Sequence, residues 1–257
     1  MNADAFLTAM RLSDSMLPVG TYTASYGVEQ YINEGEIETA GQLGDLVAGY
    51  LRGVIGPAEV VALGHAHRSA AAGDLDGVLA ADERLGATTL PAEFRDSSTK
   101  AGGKLLDLLA EADGGSVDGP VAGVDGKPSG EDADRPIAGI AVEGVVADYA
   151  AARDDGRTDG HYPVALGVVC QRAGIGVREA ALVSAYASVA GLLAAAQRLG
   201  RFGHTAIQSQ LAELFPVIEE VCDRYHDAEL DAMCSFAPLA DVMGMSHERA
   251  DRRLFMS

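Results

Sequence analysis

The sequence predicts an all-α fold: a single-domain helical bundle of about ten helices, interrupted by a flexible acidic insertion rich in Gly and Pro. Three observations carry this. Apolar residues recur at helical spacing along most of the chain. Capping and stop residues bracket the periodic segments. Runs of alternating β-branched residues, the mark of half-buried strands, are missing. The 257 residues suffice to bury a core as one large domain, residues 1–257, and a hydrophobic content of 48% excludes global disorder.

Taken in order, Phe6, Leu7, Met10 and Arg11 begin a short amphipathic helix that ends near Ser13. Thr39 with Gln42 forms a capping box ahead of Leu43, Leu46, Val47, Tyr50 and Leu51, which draw one apolar face. Gly56-Pro57 is expected to stop that helix and open another, through Val60, Val61 and Leu63 to Gly73. Asp74 can cap a helix with Leu75, Val78, Leu79 and Leu85 turned inward. Pro91 starts a helix through Leu105, Leu106 and Leu109 toward Asp113. Further helices are expected over 137–152, 164–170, 179–199 and 207–225.

The segment from Asp113 to about Pro136 has no apolar period and cannot offset its ordering entropy, so a disordered surface loop is expected there. Asp154 to Gly160 (DDGRTDG) reads as a second flexible connection.

Nineteen Lys and Arg against 38 Asp and Glu leave a formal charge of −19. Such a balance argues against non-specific nucleic-acid binding and against an anionic membrane surface, both of which need basic residues. Lys occurs only at Lys100, Lys104 and Lys127, and Trp is absent. An acidic, Lys-poor surface suits molar salt, where a short Debye length suppresses self-repulsion, so a cytoplasmic protein of a salt-accumulating halophile is expected. Cys170, Cys222 and Cys234 are few and irregularly spaced, as reduced thiols would be. No basic n-region followed by an apolar run opens the chain. The uncharged stretch Ala180 to Ala196 is interrupted by Ser184, Tyr186, Ser188 and Gly191, and fits a buried bundle helix better than a membrane span.

No catalytic constellation emerges. Gly123 to Pro128 and Gly102-Gly103-Lys104 both miss the spacing of a phosphate-binding loop. No nucleophile elbow, C-x-x-C pair or H-E-x-x-H motif occurs. His65 and His67 point to nearly opposite sides of a helix. Cys222 and His226, one turn apart, are able to reach one ion, but two ligands without a third do not make a site.

Two segments stand out. Leu12 to Glu29 joins two helices through an aperiodic run, in which Pro18 fixes one turn and Gly20 can take positive φ. The C-terminus from Pro238 mixes Met243, Met245, Leu254 and Phe255 with His247, Arg249, Arg252 and Arg253, an arginine cluster out of character with so acidic a chain. Such an end suits a docking element that orders on binding.

These residues also carry a resemblance. Leu17 to Glu29 (LPVGTYTASYGVE) resembles the N-terminal signature of the urease accessory protein UreF family. Glu93-Phe94-Arg95 with Ser98, Gly102 and Leu105-Leu106 is similar to that family's Glu-x-Arg helix, and His161-Tyr162-Pro163 with Gly167 to its His-x-Pro block. Gln197 to Thr205 with Gln208, and His247-Glu248 with Arg253-Leu254-Phe255-Met256-Ser257, resemble two further blocks. Thr21 stands where Gly is common, Val28 replaces Leu, and His204 stands where Gln is usual. Residues 113–160 match nothing in the family pattern and are expected to be a lineage insertion.

The resemblance implies an all-helical homodimer that is not an enzyme. It implies a protein that binds UreD (also called UreH), recruits the GTPase UreG, can modulate its GTP hydrolysis, and docks on apo-urease so that nickel reaches the active site. It implies no cofactor of its own, nickel being handled by the assembled complex. Partner-binding positions carried over are Pro18, Gly20, Tyr22, Ser25, Gly27, Glu29, Arg198, His247, Arg252, Arg253, Leu254 and Phe255. Of these, Glu29, Arg198 and the Gly20 to Ser25 turn are the candidate surface for UreG. The competing readings are a helical metal-dependent enzyme and a nickel carrier using Cys222, His226 or scattered His.

Overall fold

A computed structural model describes residues 1–20, 25–113, 140–249 and 254–255. They form α1 (Ala3–Leu12), α2 (Val28–Asn33), α3 (Ala40–Tyr50), a π-helix (Leu51–Val60), α4 (Val61–Ala72), α5 (Leu75–Thr88) and α6 (Ala92–Asp113). After these come α7 (Val145–Asp154), α8 (Tyr162–Arg172), α9 (Val177–Arg198), α10 (His204–Tyr225), a 3₁₀ turn (Leu230–Ala232) and α11 (Pro238–His247). The fold is all-α, with no strand among the described residues.

Local signals explain several boundaries. The Thr39 hydroxyl accepts the Gln42 N–H at 3.2 Å, and the Gln42 amide oxygen accepts the Thr39 N–H at 2.9 Å, a reciprocal cap on α3 of about 1 kcal/mol. Gly73 ends α4 in the left-handed region (φ 73°), and Asp74 accepts the Gly77 N–H at 3.1 Å to start α5.

Gly56-Pro57 does not stop the chain, contrary to the sequence expectation. Helix continues from Ala40 to Ala72, the turns around Pro57 widening into the π form. Proline has no N–H to donate, which leaves carbonyls one turn back in need of partners. The extended strap 233–237 supplies one at Gly53, whose carbonyl accepts the Phe236 N–H at 2.9 Å, and the Cys234 N–H also donates to the Pro57 carbonyl at 3.1 Å.

Helix α4 lies at the centre, packed against α5, α8 and α9, while α9 runs beside α10. Every residue of α8 from Pro163 to Cys170 is buried. A Cβ on Gly167 would lie 2.5 Å from the Leu63 carbonyl oxygen, so only glycine lets α8 cross α4 this closely. Ala40–Ala72 and Val177–Arg198 are long and apolar enough to cross a membrane by length and composition, yet both bury much of their surface inside the bundle.

Helix α1 ends where expected but starts earlier, at Ala3, and turns the opposite face inward. Ala5, Ala9 and Leu12 are buried, and Phe6, Leu7 and Met10 are exposed. Small residues bring the α1 backbone close to α9, and the large side chains point away.

Around α7 the sequence reading also changes. The helix begins at Val145, after Gly144 at φ 60°, rather than at 137. The DDGRTDG connection is pinned rather than loose, because the buried Asp82 carboxylate accepts five hydrogen bonds. They come from the N–H groups of Asp159, Gly160 and His161 at 3.0, 2.9 and 2.7 Å, and from the hydroxyls of Tyr149 and Thr158 at 2.9 and 2.5 Å. The loop expected from Asp113 to Pro136 lies, from residue 114 on, outside the described residues.

Candidate partner-docking site

The N-terminal motif segment is folded by its own short-range bonds. Asp14 accepts the Met16 N–H at 2.9 Å, and the Leu17 N–H donates to the Asp14 carbonyl at 3.0 Å. Leu17 and Val19 turn inward, which leaves Met16, Pro18 and Gly20 (φ 86°) at the surface. Tyr22, with residues 21–24, lies outside the described residues. Ser25 is fully buried, and its hydroxyl has no hydrogen-bond partner among the described residues. Tyr26 and Gly27 follow with positive φ (49° and 79°), a turn sterically unfavourable for a tyrosine. It is held by the Tyr50 O–H, which donates to the Tyr26 carbonyl at 2.5 Å, and by an edge-on Tyr26–Phe94 ring contact of 5.2 Å.

That turn delivers Glu29 into the interior at 4% exposure. Its Oε1 accepts the Leu254 N–H at 2.8 Å and its Oε2 the Phe255 N–H at 3.0 Å, with His247 Nε2 3.1 Å away. His247 Nδ1 lies 2.9 Å from Glu93 Oε2. Burial works against ionisation of Glu29, but the Leu254 and Phe255 amides and His247 outweigh it and hold the carboxyl below its ordinary value. Phe255 is buried beneath Arg198, whose guanidinium carbon sits 4.7 Å from the ring centroid, while Leu254 stays exposed.

Glu29, Ser25, His247 and Phe255 are therefore interior residues of the chain, whereas Glu29 and the turn ending at Ser25 are expected from the resemblance to offer a surface. They couple the N-terminal motif to the C-terminal tail instead of presenting side chains outward. Arg252 and Arg253 lie outside the described residues.

Two adjoining cavities lie beside this junction. The larger, about 130 Å³, is lined by Leu12, Asp14, Leu17, Val19 and Arg198 among others; the smaller, about 50 Å³, by Tyr50, Phe94 and Asp241 among others. Tyr26, Glu59, Ser98 and Ser188 line both. Protein surrounds Glu59 apart from the cavities it faces, and desolvation pushes its carboxyl up to about 7. Sequence reasoning missed Glu59. Its signal was a lone acid in the apolar run Ile55 to Leu63.

Other motif blocks hold the fold. Tyr162 N–H donates to Ser98 Oγ at 3.2 Å, joining the Glu-x-Arg helix to the His-x-Pro block. Arg95 donates to the carbonyls of Thr89 and Leu90 at 2.6 and 2.7 Å. The Gln197 amide lies 2.7 Å from a ring nitrogen of His204. Cys222 is buried with its thiol pushed up to about 12 by desolvation, and His226 Nδ1 lies 2.8 Å from the Cys222 carbonyl oxygen. No group of three or more His, Cys, Asp or Glu placed to hold a metal occurs among the described residues.

Residues 37–215 match the family model described as UreF. The chain is 31% identical over 255 residues to the urease accessory protein UreF of Yersinia enterocolitica serotype O:8, covering 99% of each. It is 30% identical over 255 residues to that of Yersinia pseudotuberculosis serotype IB, and 31% over 258 residues to that of Yersinia pestis strain Pestoides F, again over 99% of each chain.

Proposed function

The chain belongs to the UreF family of urease accessory proteins, and from that premise we propose that it is a non-catalytic chaperone that binds UreD and recruits the GTPase UreG for nickel delivery to apo-urease. One observation supports the reading most directly. The two segments singled out as docking elements, far apart in sequence, meet on Glu29, with the Arg198–Phe255 contact beside them. The surface also offers Phe6, Leu7, Met10 and Met16 from the N-terminal region and Leu254 from the tail, all exposed. Exposed large apolar groups of this kind suit a protein partner. The protein acts in the cytoplasm as a homodimer and has no cofactor of its own; modulation of UreG turnover would act through the docked GTPase.

Co-purification of the tagged chain with co-expressed UreD and UreG, in KCl on the order of 2 M to screen the acidic surface, tests this. A stable complex of all three is expected, lost on truncation after Asp251. Arg198→Ala is expected to weaken UreG recruitment more than UreD binding. A folded chain that elutes alone would overturn the proposed partners.

A further inference from the structure

Glu59 is an interior acid without a task in the fold. It stands in the π-helix, and among the described residues no side-chain hydrogen bond or ion pair reaches its carboxyl. It lines both the cavity of about 130 Å³ and the adjoining one of about 50 Å³. Tyr26, Ser98 and Ser188 line both as well, and add hydroxyls but no further charge. Much of the remaining wall is apolar, with Leu17 and Val19 in the larger cavity and Ile55, Ala58 and Leu192 in the smaller. Asp14 and Ser15, both exposed, also line the larger cavity and mark where it meets solvent.

A buried carboxylate is unfavourable until a cation joins it. A divalent metal ion asks for several strong oxygen, nitrogen or sulfur ligands, and one carboxylate among hydroxyls does not supply them. A primary ammonium carries a single charge and three N–H donors, which one carboxylate and two hydroxyls match. The apolar wall suits a short alkyl chain. A cavity of about 150 Å³ holds a molecule as large as benzene, so the larger cavity, at about 130 Å³, has room for such a chain. We propose that Glu59, with the hydroxyls of Tyr26, Ser98 and Ser188, forms a binding site for a small primary alkylammonium ion in the larger cavity. Binding requires the carboxylate and is therefore coupled to loss of the Glu59 proton. The other ionisable groups at these walls are Asp14, Tyr162 and Arg198 in the larger cavity, Tyr50 and Asp241 in the smaller, and Tyr26 in both. Burial raises all three tyrosines, which stay neutral through pH 9, and raises Asp241, which lines the smaller cavity alone. The site belongs to the chain alone and does not rest on the proposed partners.

Ligand-observed NMR titration of the full chain with propylammonium, from about pH 5.5 to 8.5 in molar KCl, tests it. The salt screens the acidic surface and offers an excess of inorganic cation, so binding seen there is selective for the ammonium. Propylammonium, like a lysine side chain, keeps its charge over this range. With the Glu59 value at about 7, its affinity is expected to rise about thirtyfold from the lower pH to the higher. Propanol, uncharged and of similar size, is expected to show no such rise. Glu59→Gln, which keeps the shape of the side chain, is expected to remove the advantage of the ammonium over the alcohol. Gly191 lines the larger cavity, and a Cβ there would meet nothing within 4 Å, so Gly191→Leu adds bulk without displacing a neighbour and is expected to weaken propylammonium binding with Glu59 intact. No binding of propylammonium at the higher pH, an affinity flat with pH or equal to that of propanol, or binding retained in either variant would overturn the site.

Discussion

Phe236 and Gly53 meet backbone to backbone: the Phe236 N–H donates to the Gly53 carbonyl at 2.9 Å, and a Cβ on Gly53 would lie 2.8 Å from the Phe236 carbonyl oxygen. The strap before α11 thus completes the hydrogen bonding of a helix that a proline has widened, and it needs a residue without a side chain to do so.

Gly53→Ala is accordingly expected to push the strap off the helix and destabilise the fold by about 1–3 kcal/mol. Chemical denaturation in molar KCl would measure it. A midpoint equal to wild type would mean that the strap shifts without cost.

Asp82 has a larger expected effect. Asp82→Ala strands the buried N–H groups of Gly160 and His161 and the buried Tyr149 hydroxyl, together with the half-buried Thr158 hydroxyl and Asp159 N–H, with a loss of about 3 kcal/mol or more. Asp82→Asn keeps one acceptor oxygen and should fall between. Exchange at Asp159, Gly160 and His161 would rise in both variants if the carboxylate is what pins the loop.

Glu59 and His161 should pull stability in opposite directions with pH. Burial raises the Glu59 value to about 7, so its proton favours the folded state. That contribution is fully present below about pH 4.5 and is lost as pH rises through about 7. Glu59→Gln should therefore stabilise the protein at pH 8, by at most about 3 kcal/mol, and change little at pH 5. Burial instead lowers the His161 value, partly opposed by Asp82 and Asp159. Its contribution is present above about pH 6.5 and is lost as pH falls toward the depressed value. Denaturant midpoints of Glu59→Gln, His161→Phe and wild type at both pH values separate the two.

Salt should stabilise the chain strongly. At −19 the surface repels itself in dilute buffer, and raising KCl from about 0.1 M to 1 M shortens the Debye length from about 10 Å to 3 Å. The melting temperature is expected to rise by about 5 °C or more, and a flat response would remove the halophilic reading.

Much of the fold was legible locally. The Thr39–Gln42 box, the Gly73 stop and the Asp74 cap are each contained within a few residues, so sequence alone located those helix ends. The face of α1 was not legible. Phe6, Leu7 and Met10 form as good an apolar stripe as Ala5, Ala9 and Leu12, and only the neighbouring α9 selects the smaller set. At Pro57 the local rule failed because the strap that accommodates the proline lies some 180 residues away. Glu29 and His247 were both singled out by the sequence, yet as partner-binding positions and not as partners of each other. Nothing near either one announces a partner 218 positions distant.

By itself, the sequence determined an all-α chain, the places where most helices start and stop, and its membership in the UreF family. Propensity, capping and periodicity act over one or two turns and are written in adjacent residues. Tertiary structure alone decided which face of α1 is buried, that Pro57 bends no helix apart, and that Glu29, His247 and Glu93 share one interior site. Burial and long-range hydrogen bonding depend on which helices come to lie together, and that follows from packing the whole chain rather than from any segment of it.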